Sequence, residues 1–189
     1  MRRRRRCPST NRMTSIPQEI KVLALDVDGV LTDGTITFSG TLLHEIKTFH
    51  VHDGLGISLW QNAGNHVVFI SGRSAECVSI RAKELGVKYI YQGSTDKIAD
   101  LHKALSKIGA TMEQTCFVGD DLGDLPVMQF AGHAIAVGDA APEVQDVADF
   151  TTTKLGGRGA VREAIEYLMR ASGTWDATVE KSKAEPATQ

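Results

Sequence analysis

The pair Asp26 and Asp28 is the arrangement in this sequence best suited to chemistry. It follows directly on the apolar run of residues 21–25, and Gly29 comes after it. Residues two apart in an extended chain point the same way, so both carboxylates can face one site, and the glycine allows a sharp turn. A solvated turn is the alternative, but two adjacent carboxylates at the end of an apolar strand require a cation or a shared proton between them.

A second acidic cluster follows the apolar run of residues 115–118. It contains Asp120, Asp121 and Asp124, and the first and last of these are spaced to share one face of a helix. A helix-capping aspartate with surface neighbours would explain one of the three carboxylates but not the cluster. All-oxygen ligands suit a hard cation such as Mg²⁺, so the cluster predicts a magnesium site.

Two weaker signals follow other apolar segments. Ser71 and Gly72 come after residues 66–70, where a hydroxyl and the N–H groups at the start of a helix can hold an oxyanion. Lys97 lies in the first turn of a helix predicted from Asp96. A cation there opposes the helix dipole, which indicates a role for Lys97 other than that of a surface lysine.

The segments that position these residues predict an α/β fold. Strands are predicted at residues 21–25, 66–70, 88–91, 115–118 and 133–137, and helices at 54–63, 122–130 and 161–169 and from Ser74 and Asp96 onward. Their alternation predicts one capless domain, a three-layer Rossmann-like parallel sheet with helices on both faces. Residues 35–38 and 42–49 flank Ser39-Gly40-Thr41 and predict a β-hairpin after the first strand. Ligands bind such sheets at the carboxyl ends of the strands, where the acids and Lys97 lie.

Composition excludes several classes of protein. The chain has 189 residues, a formal net charge of -2 and 42% hydrophobic residues, so we expect neither a nucleic-acid nor a membrane partner. No apolar run is long enough to span a bilayer. Cys7, Cys77 and Cys116 are odd in number, widely spaced and without a CxxC motif, which favours a cytoplasmic location over a disulfide framework.

Both ends of the chain differ from the central domain, which is predicted at residues 19–171. Residues 1–18 contain the basic run from Arg2 to Arg6 and predict a disordered leader, with a nucleic-acid-binding arm as the alternative and Met13 as an alternative start. The polar stretch of residues 172–189 predicts a mobile tail.

With its motifs in this order, the chain resembles the haloacid dehalogenase-like phosphatase superfamily over residues 21–170. DVDGVLTDG from Asp26, ISGR from Ile70, YQGSTDK from Tyr91, GDDLGDLPVM from Gly119 and GGRGAVRE from Gly156 are similar to motifs of the 3-deoxy-D-manno-octulosonate 8-phosphate phosphatases. The resemblance implies a homotetramer in which a neighbour's hairpin and C-terminal segment help to close each site.

Residues and resemblance together predict a phosphatase that forms an aspartyl phosphate. Asp26 would attack phosphorus, and Asp28 would protonate the leaving oxygen and then deprotonate the attacking water. Mg²⁺ would be held by Asp26, the Asp28 backbone carbonyl and Asp120, where it would neutralise the gathered negative charge.

The remaining motif residues are predicted to support this centre. Ser71, Gly72 and Lys97 would bind the phosphoryl oxygens. Asp124 would orient Lys97 or the metal ligands without binding the metal itself, and Asp121 would bind the metal directly or through water.

The resemblance further implies a small sugar acid phosphate as substrate. Guanidinium groups match the carboxylate of a sugar acid. His50 and His52 stand where the family usually shows Asn and Arg, and they are expected to lie on one strand face. The predicted substrate-binding residues are His50, His52, Asp53, Gly54, Arg73, Arg81 and Arg158. A second metal site at the histidines and a surface position for Arg81 are the alternatives.

The predicted function is hydrolysis of 3-deoxy-D-manno-octulosonate 8-phosphate for lipopolysaccharide synthesis. Alternatives are a phosphatase of a nine-carbon sugar acid 9-phosphate, a phosphatase of loose specificity, a phosphomutase, a signalling receiver domain and a silent scaffold. Arg73, where the nine-carbon relatives show Glu, favours the eight-carbon substrate. A mutase usually needs a cap, and a receiver would carry its acids in a different order.

Overall fold

A six-stranded parallel sheet forms the centre of the molecule in the computed structural model, which describes residues 19–40 and 44–184. Its spatial order is β5-β4-β1-β6-β7-β8, and every neighbouring pair is parallel. The six strands are β1 Val22–Leu25, β4 His66–Ile70, β5 Tyr89–Tyr91, β6 Thr115–Gly119, β7 His133–Ala136 and β8 Phe150–Thr151. The predicted α/β fold is confirmed.

Helices surround this sheet. They are α1 Val51–Asn62, α2 Glu76–Glu84, α3 Lys97–Ile108, α4 Leu125–Phe130, α5 Pro142–Val147, α6 Ala160–Ala171 and α7 Trp175–Ala184. All four residues of β1 are buried, because it is central in the sheet with helices packed around it. Phe69 and Phe117, on the strands either side of β1, are among the largest fully buried side chains.

The predicted hairpin projects from the region after β1. Its strands are β2 Thr37–Ser39 and β3 His44–Ile46, which pair antiparallel. Thr41 of its predicted turn lies outside the described residues. Ile36, Phe38 and Ile46 are about half exposed, so the hairpin presents apolar surface.

Several local predictions differ from the structure. Helix α1 begins at Val51, so His52 lies in its first turn and His50 caps it; the expected strand face with both histidines is therefore wrong. Ala75, in extended conformation, is the residue that precedes α2, rather than Ser74. The predicted helix over residues 122–130 is a 3₁₀ turn followed by α4, because Pro126 lacks the N–H needed to continue a helical ladder through it.

The C-terminal stretch holds more structure than its composition predicts. Helix α7 occupies ten of the residues expected to form a mobile tail. Trp175 is buried at its start, where the guanidinium carbons of Arg162 and Arg170 lie 5.2 and 5.3 Å from the ring centroid. The predicted leader with Arg2 to Arg6 lies outside the described residues. Within residues 19–40 and 44–184, no helix has the length and apolarity required to cross a bilayer.

Candidate active site

The carboxyl end of β1 places Asp26 and Asp28 at a cleft of about 520 Å³. The backbone N–H of Asp26 donates to Val118 O at 3.1 Å, which continues the pairing of β1 with β6 past the strand's end. The chain then turns at Gly29, whose φ of +92° is unfavourable for a residue with a side chain. A Cβ at Gly29 would also overlap Asp120 Oδ2, so the turn lies directly against the second acidic cluster.

Lys97 joins the two acidic groups. It is the first residue of α3, and Asp96 caps the helix by accepting from Ala99 N at 3.0 Å. Its Nζ donates to Asp26 Oδ1 and to Asp124 Oδ1, both at 2.7 Å. Burial lowers the pKa of Lys97, but these two carboxylates outweigh that effect, and the pKa lies above its usual value. Lys97 is therefore a fixed cation beside the predicted nucleophile.

Asp26, Asp120 and Asp124 form a carboxylate group that fits a divalent cation. One oxygen from each lies within 4.8 Å of the others. Burial raises the pKa of Asp26 to about 6 and that of Asp120 to about 8, and repulsion between neighbouring carboxylates adds to both shifts. Asp120 Oδ1 is buried and has no hydrogen-bond partner among the described residues. A cation would satisfy that oxygen and relieve the repulsion.

Asp124 occupies a different place in this group from the other two. Its Oδ1 accepts from Lys97, and its Oδ2 accepts from the backbone N–H of Asp120 at 3.1 Å. Both carboxylate oxygens are engaged by protein groups, so Asp124 holds its neighbours in place. Of the three carboxylates, those of Asp26 and Asp120 are therefore the ones that could bind a cation directly.

Asp28 is held from two sides. Ser71 Oγ donates to Asp28 Oδ2 at 3.1 Å, and Lys47 Nζ donates to Asp28 Oδ1. Ser71 is buried at the end of β4, and its hydroxyl also accepts from Arg73 N at 3.1 Å. Gly72 lines the cleft next to it. The predicted phosphate-binding residues Ser71, Gly72 and Lys97 thus lie with Asp26 and Asp28.

Lys47 and Glu45 are site residues that the sequence analysis missed. Both belong to the hairpin region, where Lys47 Nζ also donates to Glu45 Oε1 at 2.5 Å. Glu45 Oε2 in turn accepts from Arg73 Nη2 at 3.0 Å. The sequence signal that could have found them is the two-residue spacing of these opposite charges in a segment predicted to be extended, since such residues share a face.

Two further predicted residues line the cleft. The Arg73 side chain is 44% exposed and reaches the cleft beside Glu45. Asp121 is exposed at the rim, and its Oδ1 accepts from its neighbour Leu122 N at 2.8 Å. This contact caps the 3₁₀ turn, so Asp121 has a local structural role beside any contact with a bound metal.

The predicted substrate-binding residues do not all meet at this cleft. His50, His52 and Arg158 line a separate groove of about 600 Å³. His50 Nδ1 accepts from His52 N at 3.3 Å, and Arg158 Nη2 donates to Asp33 Oδ2 at 3.1 Å. Within one chain, these three side chains line a different groove from the one that holds Asp26, Asp28 and Asp120.

Asp53, Gly54 and Arg81 have packing contacts inside the fold. Asp53 is buried and accepts from Gly159 N at 3.2 Å and from Arg162 N at 2.8 Å, so it caps the start of α6. A Cβ at Gly54 would overlap the guanidinium of Arg81. Arg81 donates to Glu84 Oε2 at 2.9 Å and lies over the ring of Phe49.

Comparison with known proteins gives close relatives. A family model described as haloacid dehalogenase-like hydrolase matches residues 86–165. The chain is 42% identical over 168 residues to a 3-deoxy-D-manno-octulosonate 8-phosphate phosphatase of Salmonella typhi, covering 89% of this chain and 88% of the relative. It is 42% identical over 159 residues to the Escherichia coli K12 enzyme of the same name, covering 84% of each.

Solved structures agree with these relatives. A Moraxella catarrhalis 3-deoxy-D-manno-octulosonate 8-phosphate phosphatase, in complex with a magnesium ion, a phosphate ion and a KDO molecule, superposes with a TM-score of 0.83 at 40% identity. The match covers 86% of this chain and 93% of that one. The Yersinia pestis enzyme superposes with a TM-score of 0.80 at 39% identity, covering 83% and 84%. The resemblance drawn from the motifs is confirmed.

Proposed function

The chain belongs to the haloacid dehalogenase-like hydrolase family, and from this premise we propose that it hydrolyses 3-deoxy-D-manno-octulosonate 8-phosphate to the free sugar acid and phosphate. One observation carries the proposal: Asp26, Asp28 and Asp120 surround a cleft with the Lys97 ammonium 2.7 Å from Asp26. The identity of 42% to named phosphatases of this ester, over most of the chain, indicates the substrate.

Asp26 is the proposed nucleophile. Lys97 lies beside its carboxylate as a cation and favours the ionised form that attacks phosphorus. The same ammonium would then contact a phosphoryl oxygen as negative charge gathers there. Gly72 lines the cleft, and Ser71 precedes it with its hydroxyl on Asp28; these two residues would hold the other phosphoryl oxygens.

Asp28 is the proposed general acid and base. It stands two residues after the nucleophile, within reach of the leaving oxygen of a phosphate held at Asp26. In the first step its proton goes to the sugar oxygen as the ester bond breaks. In the second it takes a proton from the water that displaces Asp26 from phosphorus, which restores the starting state.

Magnesium fits the carboxylates at the strand ends. Asp26 and Asp120 would hold it with the backbone carbonyl of Asp28, and Asp124 would keep Asp120 in place through its backbone N–H. When bound, the ion supplies positive charge that offsets the carboxylates and the phosphoryl group. Asp120 must be ionised to hold it, although its pKa in the metal-free protein is raised to about 8.

Arg73 is the proposed contact for the sugar carboxylate, because it is the one predicted arginine that lines the catalytic cleft of the described chain. His50, His52 and Arg158 line a different groove and would contact a substrate bound at the cleft of another subunit. We therefore propose a homotetramer, supported by the half-exposed Ile36, Phe38 and Ile46 of the hairpin. Asp53 and Gly54 would shape the α1 start that carries the histidines.

The setting of the reaction is part of the proposal. A cytoplasmic location is supported by the cysteine pattern of the sequence, which has three widely spaced cysteines and no CxxC motif. The product of this hydrolysis would enter lipopolysaccharide synthesis. The partner we propose is a small sugar acid phosphate, without nucleic acid or membrane.

Phosphate release tests this function. The purified chain would be given 3-deoxy-D-manno-octulosonate 8-phosphate with Mg²⁺, beside a nine-carbon sugar acid 9-phosphate and hexose phosphates. We expect magnesium-dependent release from the eight-carbon acid and loss of release in Asp26→Asn. Preference for another ester would overturn the substrate but keep the mechanism, and release from none would overturn both.

A further inference from the structure

Lys47 is a buried cation that the proposed mechanism does not yet use. It follows β3, and its side chain is 1% exposed. Its Nζ donates to Asp28 Oδ1, the general acid and base of the proposed reaction, and to Glu45 Oε1 at 2.5 Å. The hairpin region thus supplies a charge to the centre of the site.

The charges around Lys47 alternate in sign. Asp28, Lys47, Glu45 and Arg73 follow one another through direct contacts, of which the last, between Glu45 and Arg73, measures 3.0 Å. Burial lowers the pKa of Lys47, but its two carboxylate partners outweigh this and raise the pKa above its usual value. The contact with Lys47 keeps the pKa of Glu45 below its usual range, and Arg73 adds to that effect. Lys47 is therefore an ammonium in the folded protein.

Lys47 and Ser71 together fix the orientation of Asp28. One carboxylate oxygen accepts from Lys47 and the other from Ser71, at 3.1 Å. A carboxylate held at both oxygens keeps one rotamer, whereas a general acid that is free to rotate spends little time aligned with its target. A desolvated ion pair seldom adds much net stability, so its burial here is poorly explained by the fold alone.

We propose that Lys47 is a positioning residue, which holds Asp28 toward the leaving oxygen and offsets its charge after proton donation. In the first step the Asp26–phosphorus bond forms, the ester bond breaks, and the Asp28 proton moves to the sugar oxygen. In the second, water displaces Asp26 and its proton returns to Asp28. Lys47 keeps its own protons throughout. The inference rests on the proposed function, since it assigns Asp28 the same role.

The test compares two leaving groups in Lys47→Met. An alkyl phosphate, such as the sugar acid ester or a hexose 6-phosphate, needs a proton on its leaving oxygen, whereas p-nitrophenyl phosphate does not. Because kcat/KM covers the steps up to alcohol release, we expect it to fall about 10- to 100-fold for the alkyl ester. It should change little for p-nitrophenyl phosphate.

Three further variants complete the experiment. Lys83→Met removes an exposed lysine from α2 and should leave both substrates unchanged. Lys47→Arg keeps the charge and should restore part of the alkyl activity. Glu45→Gln leaves Lys47 in place but removes its second anion, and should give a smaller loss of kcat/KM that is again confined to the alkyl ester. If Lys47→Met does not fold, Glu45→Gln provides the test.

Selectivity for the alkyl ester decides the outcome. Equal losses with both esters in folded Lys47→Met or Glu45→Gln would overturn the proposal, because Lys47 would then act on phosphate binding or on the fold. Full activity in Lys47→Met would overturn it as well. If the wild-type protein releases phosphate from no ester, the proposed function fails instead, which is a distinct result.

Discussion

The Lys97 ammonium lies 2.7 Å from Oδ1 of Asp124, a residue 27 positions later in the chain. The same ammonium lies 2.7 Å from Oδ1 of Asp26, 71 positions earlier. Lys97 thus binds the end of β1 to the turn after β6, two adjacent strands of the sheet. Two buried carboxylates that would repel each other are held together by one cation.

We predict that Lys97→Met lowers kcat/KM for phosphate release by about 100- to 1000-fold, because a cation at the phosphoryl group is lost. The variant should also melt at a lower temperature, since the buried carboxylates of Asp26 and Asp124 would lose the cation between them. Phosphate release and thermal melting measure the two effects. Lys103→Met, on the same helix with a 64% exposed side chain, is the matched control. Equal activity in both variants would contradict the role of Lys97.

The sequence predicts this part of the site well because its residues lie at strand ends. Asp26, Asp28, Ser71 and Lys97 each follow a recognisable apolar segment or helix cap, and parallel strands bring such positions to one edge. Local pattern therefore suffices for them. Asp124 is also visible in the sequence, as the last member of an acidic cluster.

The hairpin contacts and the histidines escape sequence analysis for a physical reason. No spacing connects Lys47 to Asp28, 19 positions away, because the hairpin folds back through tertiary packing. His50 and His52 alternate as they would on a strand, but a helix begins at Val51. Asp53, in the first turn of that helix, caps α6 with its carboxylate, a contact that spans more than 100 positions and that no local pattern predicts.

Stability of the metal-free protein should fall as the pH rises from about 4 to about 8. The pKa of Asp26 is raised from 3.8 to about 6 and that of Asp120 from 3.8 to about 8. In this range these two groups bind more protons in the folded state than in the unfolded state, so their contribution to the free energy of unfolding decreases with increasing pH. Melting temperatures in a chelator, across this range, measure the slope.

Magnesium should reverse this trend. It binds the ionised carboxylates, so the increase in melting temperature on adding Mg²⁺ should be larger near pH 8 than near pH 5. Asp120→Asn removes the carboxyl group whose pKa is raised to about 8. It should flatten the dependence of melting temperature on pH in the chelator. A magnesium effect of equal size at both pH values would argue against these carboxylates as the ligands.

Asp53→Ala separates a structural role from substrate binding. The carboxylate is buried and accepts two backbone N–H groups at the start of α6. We expect the free energy of unfolding to fall by about 1–3 kcal/mol, as for a lost cap that leaves buried donors unpaired. Denaturant unfolding measures this loss. The folded fraction should keep its KM, whereas a large increase in KM at unchanged stability would assign Asp53 to the substrate.

Gly29→Ala should disturb the metal site through a steric contact. Gly29 has a φ of +92°, and a Cβ there would overlap Asp120 Oδ2. The Asp120 carboxylate must then shift from its present position, which should weaken magnesium binding and lower phosphate release. Gly64→Ala is the matched control, because its φ of +88° imposes similar backbone strain while no atom in the described part of the chain lies within 4 Å of the added Cβ.

Both alanine variants should lose about 1–3 kcal/mol of stability from the backbone strain alone. The difference between them isolates the contact with Asp120. We expect calorimetric titration to show weaker binding of Mg²⁺ in Gly29→Ala and unchanged binding in Gly64→Ala. If the two variants bound Mg²⁺ equally well, the close approach of Gly29 would not be what holds Asp120 in its position, and the turn after β1 would matter to the site only through its backbone conformation.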